Sequence, residues 1–255
     1  MKKFFLMGLI GLVGLMGNVR ADVLGEFHFD GTLGDKIGVS IEFAVNGDYV
    51  AVGEIVYTHS KKPIRFLLVG VWTGDEYLLN EYQPDGSVTG CLRMEIDDTT
   101  YNEPVLTAGT WTNPKNGQVY EMKNMESGSL SANNPWDYGT PGTIEGEYVF
   151  HQWDLSSKSM KEGRAVFHWA GEHSLLFSVN NDLLGGSLKN APGRPAELRA
   201  YTYNTFDYPE ANKCGYSFSA CFFKNFVVLI TSSEPETTTC QGKNHRIDGV
   251  YFKMK

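Results

Sequence analysis

Apolar and polar residues alternate in short runs from Val23 to about Lys123, and turn-forming groups interrupt most of the joins. The alternation is cleanest over residues 88–96, where Leu92, Met94 and Ile96 fall on one face and Cys91, Arg93 and Glu95 on the other. A period of two over such a stretch marks a half-buried antiparallel strand. Similar runs predict strands over 25–30, 39–45, 49–58, 64–72, 76–83, 105–112 and 118–122. Asn46-Gly47, Thr73-Gly74-Asp75, Pro84-Asp85-Gly86 and Asn116-Gly117 lie between them. Gly and Asn supply positive φ there, and Pro presets φ at the first turn position. Eight short strands joined by tight turns predict a meander closed into a small barrel.

The pattern changes at residues 126–143. Ser, Asn and Gly dominate, Pro135 and Pro141 punctuate the stretch, and it reads as a linker. A second β-rich region follows, with strands expected over 146–151, 163–169, 175–179, 198–203, 216–223, 226–231 and 249–253. Residues 180–195, interrupted by Gly and Pro, read as irregular. The fold expected is all-β: two small antiparallel meander barrels or sandwiches in tandem, over 22–125 and 144–255. Three matches in the same order suggest an internal duplication. Gly25-Glu26-Phe27-His28-Phe29 pairs with Gly146-Glu147-Tyr148-Val149-Phe150, Gly53-Glu54-Ile55-Val56-Tyr57 with Gly163-Arg164-Ala165-Val166-Phe167, and Val119-Tyr120 with Val250-Tyr251.

The first 21 residues follow a different rule. Lys2 and Lys3 precede an uncharged apolar stretch from Phe4 to Gly17, and Val19-Arg20-Ala21 places small or β-branched residues before Asp22. Charged start, apolar middle and small-residue exit describe a secretory signal cleaved between Ala21 and Asp22. The apolar run is shorter than the ~20 residues a spanning helix needs. No cysteine follows it, so a lipid-anchored mature terminus is not expected. No later run is long enough to enter a membrane as a helix; Phe226-Val227-Val228-Leu229-Ile230 is strand-sized. The expected address is the periplasm or the medium.

Export also changes the charge. The 255-residue chain carries 22 basic and 30 acidic residues, a net charge of −8. Losing Lys2, Lys3 and Arg20 leaves 19 bases against 30 acids, a net charge of −11. Such a surface repels nucleic acid and anionic membrane and speeds encounter with cationic partners.

An oxidising compartment makes disulfides an expectation for the four cysteines, Cys91, Cys214, Cys221 and Cys240. If Lys224-Asn225 is a hairpin turn, Cys221 sits beside it, opposite Val228. Cys214 then lies at the open end, where Cys240 reaches it more easily than it reaches Cys221. Bridged Cα atoms stand about 4.4–6.8 Å apart, so Cys214–Cys240 is the favoured pair. Cys91 and Cys221 form either a bridge between modules or two separate thiols.

Candidate chemistry is sparse. There is no Gly-x-Ser-x-Gly elbow and no Gly-rich phosphate loop opening a helix. His168 and His173 flank a possible turn, and Asp97-Asp98 is an acidic pair without EF-hand spacing. Both read as solvated polar groups, so neither a metal, a cofactor nor a catalytic residue is expected. Trp72, Trp111, Trp153 and Trp169 sit on or beside strands and read as core. Trp136 and Tyr138 lie in the linker, where aromatics serve either as binding handles or as packing between modules.

Gly109-Thr110-Trp111-Thr112-Asn113-Pro114-Lys115-Asn116-Gly117 resembles the late strand and turn of secreted calycin-like β-barrel modules of bacteria. The closing Cys240-Gln241-Gly242 and Ile247-Asp248-Gly249-Val250-Tyr251 are similar to the end of small periplasmic lysozyme-inhibitor-like proteins. The resemblance implies up-and-down barrels without enzymatic activity. No inhibitor motif matches position by position, so no residue role is carried over. The resulting expectation is an exported non-enzymatic protein that binds a basic protein, such as a lysozyme-type enzyme, or a small ligand inside a barrel. Two alternatives stand beside it: an envelope-associated structural or adhesive protein, and a hydrolase whose carboxylates come from separate strands.

Overall fold

The structure is a computed structural model, and it describes residues 23–47, 49–59, 62–99, 103–129, 141–154, 157, 159–189, 195–198, 205–208, 217–231 and 246–254. The signal segment, its expected cleavage at Ala21 and Asp22, the linker aromatics Trp136 and Tyr138, and Cys214 and Cys240 lie outside the described residues.

Eight strands form the first barrel: β1 (Val23–Leu33), β2 (Ile37–Asn46), β3 (Val50–Tyr57), β4 (Ile64–Trp72), β5 (Tyr77–Tyr82), β6 (Val88–Asp97), β7 (Val105–Thr112) and β8 (Val119–Ser127). Each pairs antiparallel with the next, and β8 returns to β1, closing the ring. The turns carry the chemistry their sequences require. In the β5–β6 turn, Gly86 adopts φ 84°, and its N–H donates to the Gln83 carbonyl at 2.9 Å.

Alternation sends one set of side chains inward. Phe27, Phe43 and Tyr77 meet at ring-centroid separations of 5.1–5.3 Å, above Phe29, Ile41, Leu79, Leu92 and Met94. Leu92 and Met94 are inside while Arg93 and Glu95 are exposed, as their period-two spacing requires. Trp72 and Trp111 pack against the same core.

After the short α1 (Pro141–Ile144), the second unit runs β9 (Gly146–Asp154), β10 (Ser159–Gly171), β11 (Ser174–Asn181), β12 (Gly186–Lys189), β13 (Ala196–Leu198), β14 (Thr205–Tyr208), β15 (Phe218–Phe222), β16 (Phe226–Thr231) and β17 (Gly249–Lys253). Its sheet order is β10-β9-β17-β16-β15-β14-β13-β11-β12, and β10 also pairs with β11. That last pairing closes the ring. β12 takes residues 178–181 of β11 and β13 takes 174–175 along the same strand, so the two share one stave. The result is a second eight-stave up-and-down barrel. Its interior is filled by aromatic rings, including Phe167 and Phe222 at 4.9 Å and Phe177 and Phe218 at 4.7 Å.

Two differences from the sequence reading have plain causes. Residues 180–195 are not wholly irregular: β12 lies within them. It has four residues with one apolar inward position, Leu188, too short for a periodic signal. In the duplication, the first match falls on β1 and β9, the first staves, and the last on β8 and β17, the eighth staves. The middle match pairs β3, the third stave, with β10, the second, so it reflects similar burial and not equivalent position.

The two barrels pack side by side through outer faces that are themselves apolar. Ala44, Val50, Val52, Val69, Tyr82 and Val88 of the first form one buried cluster with Cys221, Phe223, Phe226, Val228 and Val250 of the second. This explains why 226–230 is a continuous apolar run where alternation would be expected. A strand covered on both faces has no solvent side to mark with polar residues.

Candidate functional site

One carboxylate sits inside the first barrel. Glu81 on β5 is 2% exposed and points the same way as Tyr77 and Leu79. Its Oε2 accepts from Tyr57 Oη at 2.5 Å and Trp111 Nε1 at 3.1 Å, and its Oε1 from Thr89 Oγ1 at 2.6 Å. Three donors from three other strands converge on it, as burial of such a group demands. Burial, followed by the adjacent Glu81 charge, pushes the Tyr57 hydroxyl well above its ordinary value, so Tyr57 stays a donor. The arrangement ties staves together.

A pair of carboxylates faces outward. Glu42 and Glu54 stand directly opposite on β2 and β3, where Cβ atoms are about 4.5–5.5 Å apart. Asp30 with Glu126 and Glu197 with Asp207 are opposed across strands in the same way. Glu54 is held by Arg65, and Glu42 is 7% exposed, so the pair does not line an open cleft.

The cysteines at the junction resolve differently from a bridge. Cys91 and Cys221 are thiols, and no disulfide joins them. Cys221 stands opposite Val228, the register expected of a Lys224-Asn225 turn. It shares its strand face with Ser219, yet it is 2% exposed, because that face is covered by the first barrel. Asn46 Nδ2 at 3.5 Å and Thr205 Oγ1 at 3.7 Å donate to its sulfur. Cys91 packs on the edge of the same cluster, and burial, then the charge of Glu81, raises its thiol above the ordinary value. A protonated, half-buried thiol is a poor nucleophile.

Beside the cluster opens a groove of about 640 Å³, lined by residues that include Arg65, Tyr82, Lys224, Phe226, Phe252 and Lys253. Tyr82 and Phe252 meet at 5.2 Å across the junction. Its cations are partly committed: Arg65 pairs with Glu54, and Lys253 donates to the Thr143 carbonyl and lies 5.7 Å over the Tyr148 ring.

The strongest electrostatic feature is elsewhere. Residues 23–127 carry 16 acids and 7 bases, whereas residues 128–255 carry 13 acids and 12 bases. The first barrel is also polarised along its axis. The end formed by the β2–β3, β4–β5 and β6–β7 connections bears Asp75, Glu76, Glu95, Asp97, Asp98 and Glu103. Of the barrel's described bases only Arg93 lies near them, and it is held bidentately by Glu76 at 2.6 and 3.0 Å. Lys36, Lys62, Arg65 and Lys115 lie on turns or strand starts at the opposite end. Thr99 donates through hydroxyl and backbone to Asp97, holding that carboxyl below its usual range. Asp98 adds, after burial, to the forces pushing Tyr77 up to about 12.

His168 and His173 flank the β10–β11 hairpin as exposed residues, and His168 Nδ1 meets Glu145 at 3.1 Å. Among the described residues no group of three His, Cys, Asp or Glu side chains is placed to hold a metal. No described helix is long and apolar enough to cross a membrane. No family model matches this chain, and no curated protein or solved structure matches it either.

Proposed function

We propose that this chain is an exported, non-enzymatic binding protein whose partner is a basic protein, taken at the acidic end of the first barrel. The observation that carries the reading is the segregation of charge. Six carboxylates gather at one end of one barrel, and the only described base of that barrel beside them is already neutralised. Grouped like charge destabilises a surface slightly and is useful where an oppositely charged partner docks, since it raises the association rate and fixes orientation. The packed interiors of both barrels weigh against the other expectation, a small ligand held inside a barrel. A lysozyme-type enzyme is a concrete partner to try.

Titration calorimetry of the mature protein with lysozyme is the test. Binding should weaken steeply between low and physiological salt, and the triple variant Glu95→Lys, Asp97→Lys, Asp98→Lys should lose at least tenfold in affinity. Binding that is absent, or indifferent to both salt and charge reversal, overturns the reading.

A further inference from the structure

The β7–β8 seam of the first barrel is paired along only part of its length. β7 and β8 pair at Thr110 with Glu121, Trp111 with Tyr120, and Thr112 with Val119. Beyond that, residues 105–108 of β7 keep β6 on one side, and residues 123–127 of β8 keep β1 on one side. Neither has a described strand on its other side.

Two irregularities flank this unpaired stretch. The β6–β7 register shifts between Glu95 and Ile96, which leaves Thr107 as an extra residue, anchored by its hydroxyl to the Glu95 carbonyl at 3.0 Å. The β1–β8 register shifts between Asp30 and Thr32, beside Asn124, whose φ is 52°. Bulges bend the strand that carries them and interrupt its local pairing. Among the described residues no ladder pairing joins 105–108 to 123–127, so this stretch resembles the edge of an open sheet.

The surroundings are specific. Leu106, Met122 and Met125 pack from the seam onto the barrel core, and unbranched methionines adapt to varied apolar partners. Val105 is 53% exposed. The rim is acidic: Asp97 stands opposite Val105, Glu95 opposite Ala108, Asp30 opposite Glu126, and Glu121 opposite Thr110. The one base of the seam, Lys123, is paired with Asp35 at 2.9 Å.

We infer that this seam is a strand-addition site for an extended basic segment of a partner protein, which pairs with the open edge of β7 while its cationic side chains meet the acidic rim. An extended segment alternates its side chains. Apolar ones can lie over Leu106, Met122 and Met125 while basic ones on the opposite face reach Glu95, Asp97 and Glu126. Charge complementarity selects a basic segment over a second copy of this acidic chain. The inference rests on the proposed function and adds to it a place and a backbone geometry.

The probe is a seven-residue peptide of alternating Lys and Val, compared with the same peptide methylated at alternate backbone nitrogens and with a Glu/Val version. Methylation removes ladder hydrogen bonds and keeps the charge. The expected result is binding by the Lys/Val peptide, at least tenfold weaker binding by its methylated form, and none by the Glu/Val form. Hydrogen exchange should show amides in residues 105–108 slowed by the Lys/Val peptide. Ala108→Lys, at an exposed position, should weaken binding with an unchanged melting temperature. If the methylated peptide binds as well as the parent, strand addition is wrong while recognition of positive charge stands. If neither cationic peptide binds but lysozyme does, the seam is not the site. If neither peptide nor lysozyme binds, both readings fall. If sedimentation shows the protein dimerising with protection of residues 105–108, a second copy takes the edge and the inference is overturned.

Discussion

Glu81 occupies a strand position that in a small barrel is usually apolar, and its three donors explain how it is accommodated. The Tyr57 hydroxyl, the Thr89 hydroxyl and the Trp111 indole each face the interior from a different strand, and each would lose its acceptor in Glu81→Ala. Stranding partly buried donors costs about 1–3 kcal/mol each before water re-enters, so we expect a loss of about 2–4 kcal/mol, read as a lower urea midpoint. Glu81→Gln keeps an acceptor in place and should lose less. Equal midpoints for Glu81→Ala and the parent would show that the node carries no stability. The tyrosines make a second residue-scale prediction. Burial raises Tyr57, Tyr77, Tyr82, Tyr148 and Tyr251 above their ordinary 10.0. A group whose folded value is raised contributes its stability below the unfolded value and loses it as pH climbs toward the folded one. Stability should therefore fall from about pH 10 upward, with these five of the 13 tyrosines ionising later in the folded protein than they do once it unfolds. Absorbance at the phenolate band against pH, followed together with circular dichroism, checks it.

At the scale of the strand, close approach is the governing constraint on the β1–β8 pairing. A Cβ on Gly31 would lie 2.8 Å from the Lys123 carbonyl oxygen and 2.9 Å from that of Asn124, both main-chain atoms with little freedom to yield. Gly31→Ala should cost about 1–3 kcal/mol by forcing β8 outward, and amides of residues 123–127 should exchange faster. Unchanged exchange there would mean the bulge absorbs the methyl. The strands were legible in the sequence where burial was one-sided. Residues 92–96 alternate because one face meets the barrel core and the other, at Arg93 and Glu95, meets water. Legibility failed for two reasons. β12 is too short to show a period, with Leu188 its single inward apolar residue. The face bearing Cys221 and Ser219 looked polar, yet Cys221 is buried by the other barrel, a neighbour no local pattern reports. The candidate site was less legible still. Asp97 and Asp98 stood out only as an isolated acidic pair, and their company of Glu95, Asp75 and Glu76 comes from connections that the meander brings to one end. The edge of β7 has no sequence signature apart from its bulge.

For the whole molecule, the junction decides whether there are one or two cooperative units. Val228 is 4% exposed within the shared cluster. Val228→Glu would place a carboxylate between apolar faces, an arrangement that costs several kcal/mol unless the barrels part. We expect the barrels to separate, giving two thermal transitions in place of one and a larger radius of gyration by small-angle scattering. A single transition of reduced midpoint, with unchanged dimensions, would show that the interface tolerates the charge by local rearrangement. The cysteines report on the same interface: Cys221 should resist alkylation in the parent and become reactive in Val228→Glu.

The shared apolar faces also have a consequence in time. Every stave of the first barrel pairs with a neighbour in the ring drawn from residues 23–127, so that barrel can form before the rest of the chain exists. At about 5–20 residues per second, synthesis of the remaining half takes on the order of 10 s. Throughout that interval Val50, Val52, Val69 and Val88 have no second barrel to cover them. A chain that folds its first barrel in that interval exposes a sticky flank. Its yield will depend on whether a holdase covers that flank until Phe226 and Val228 arrive.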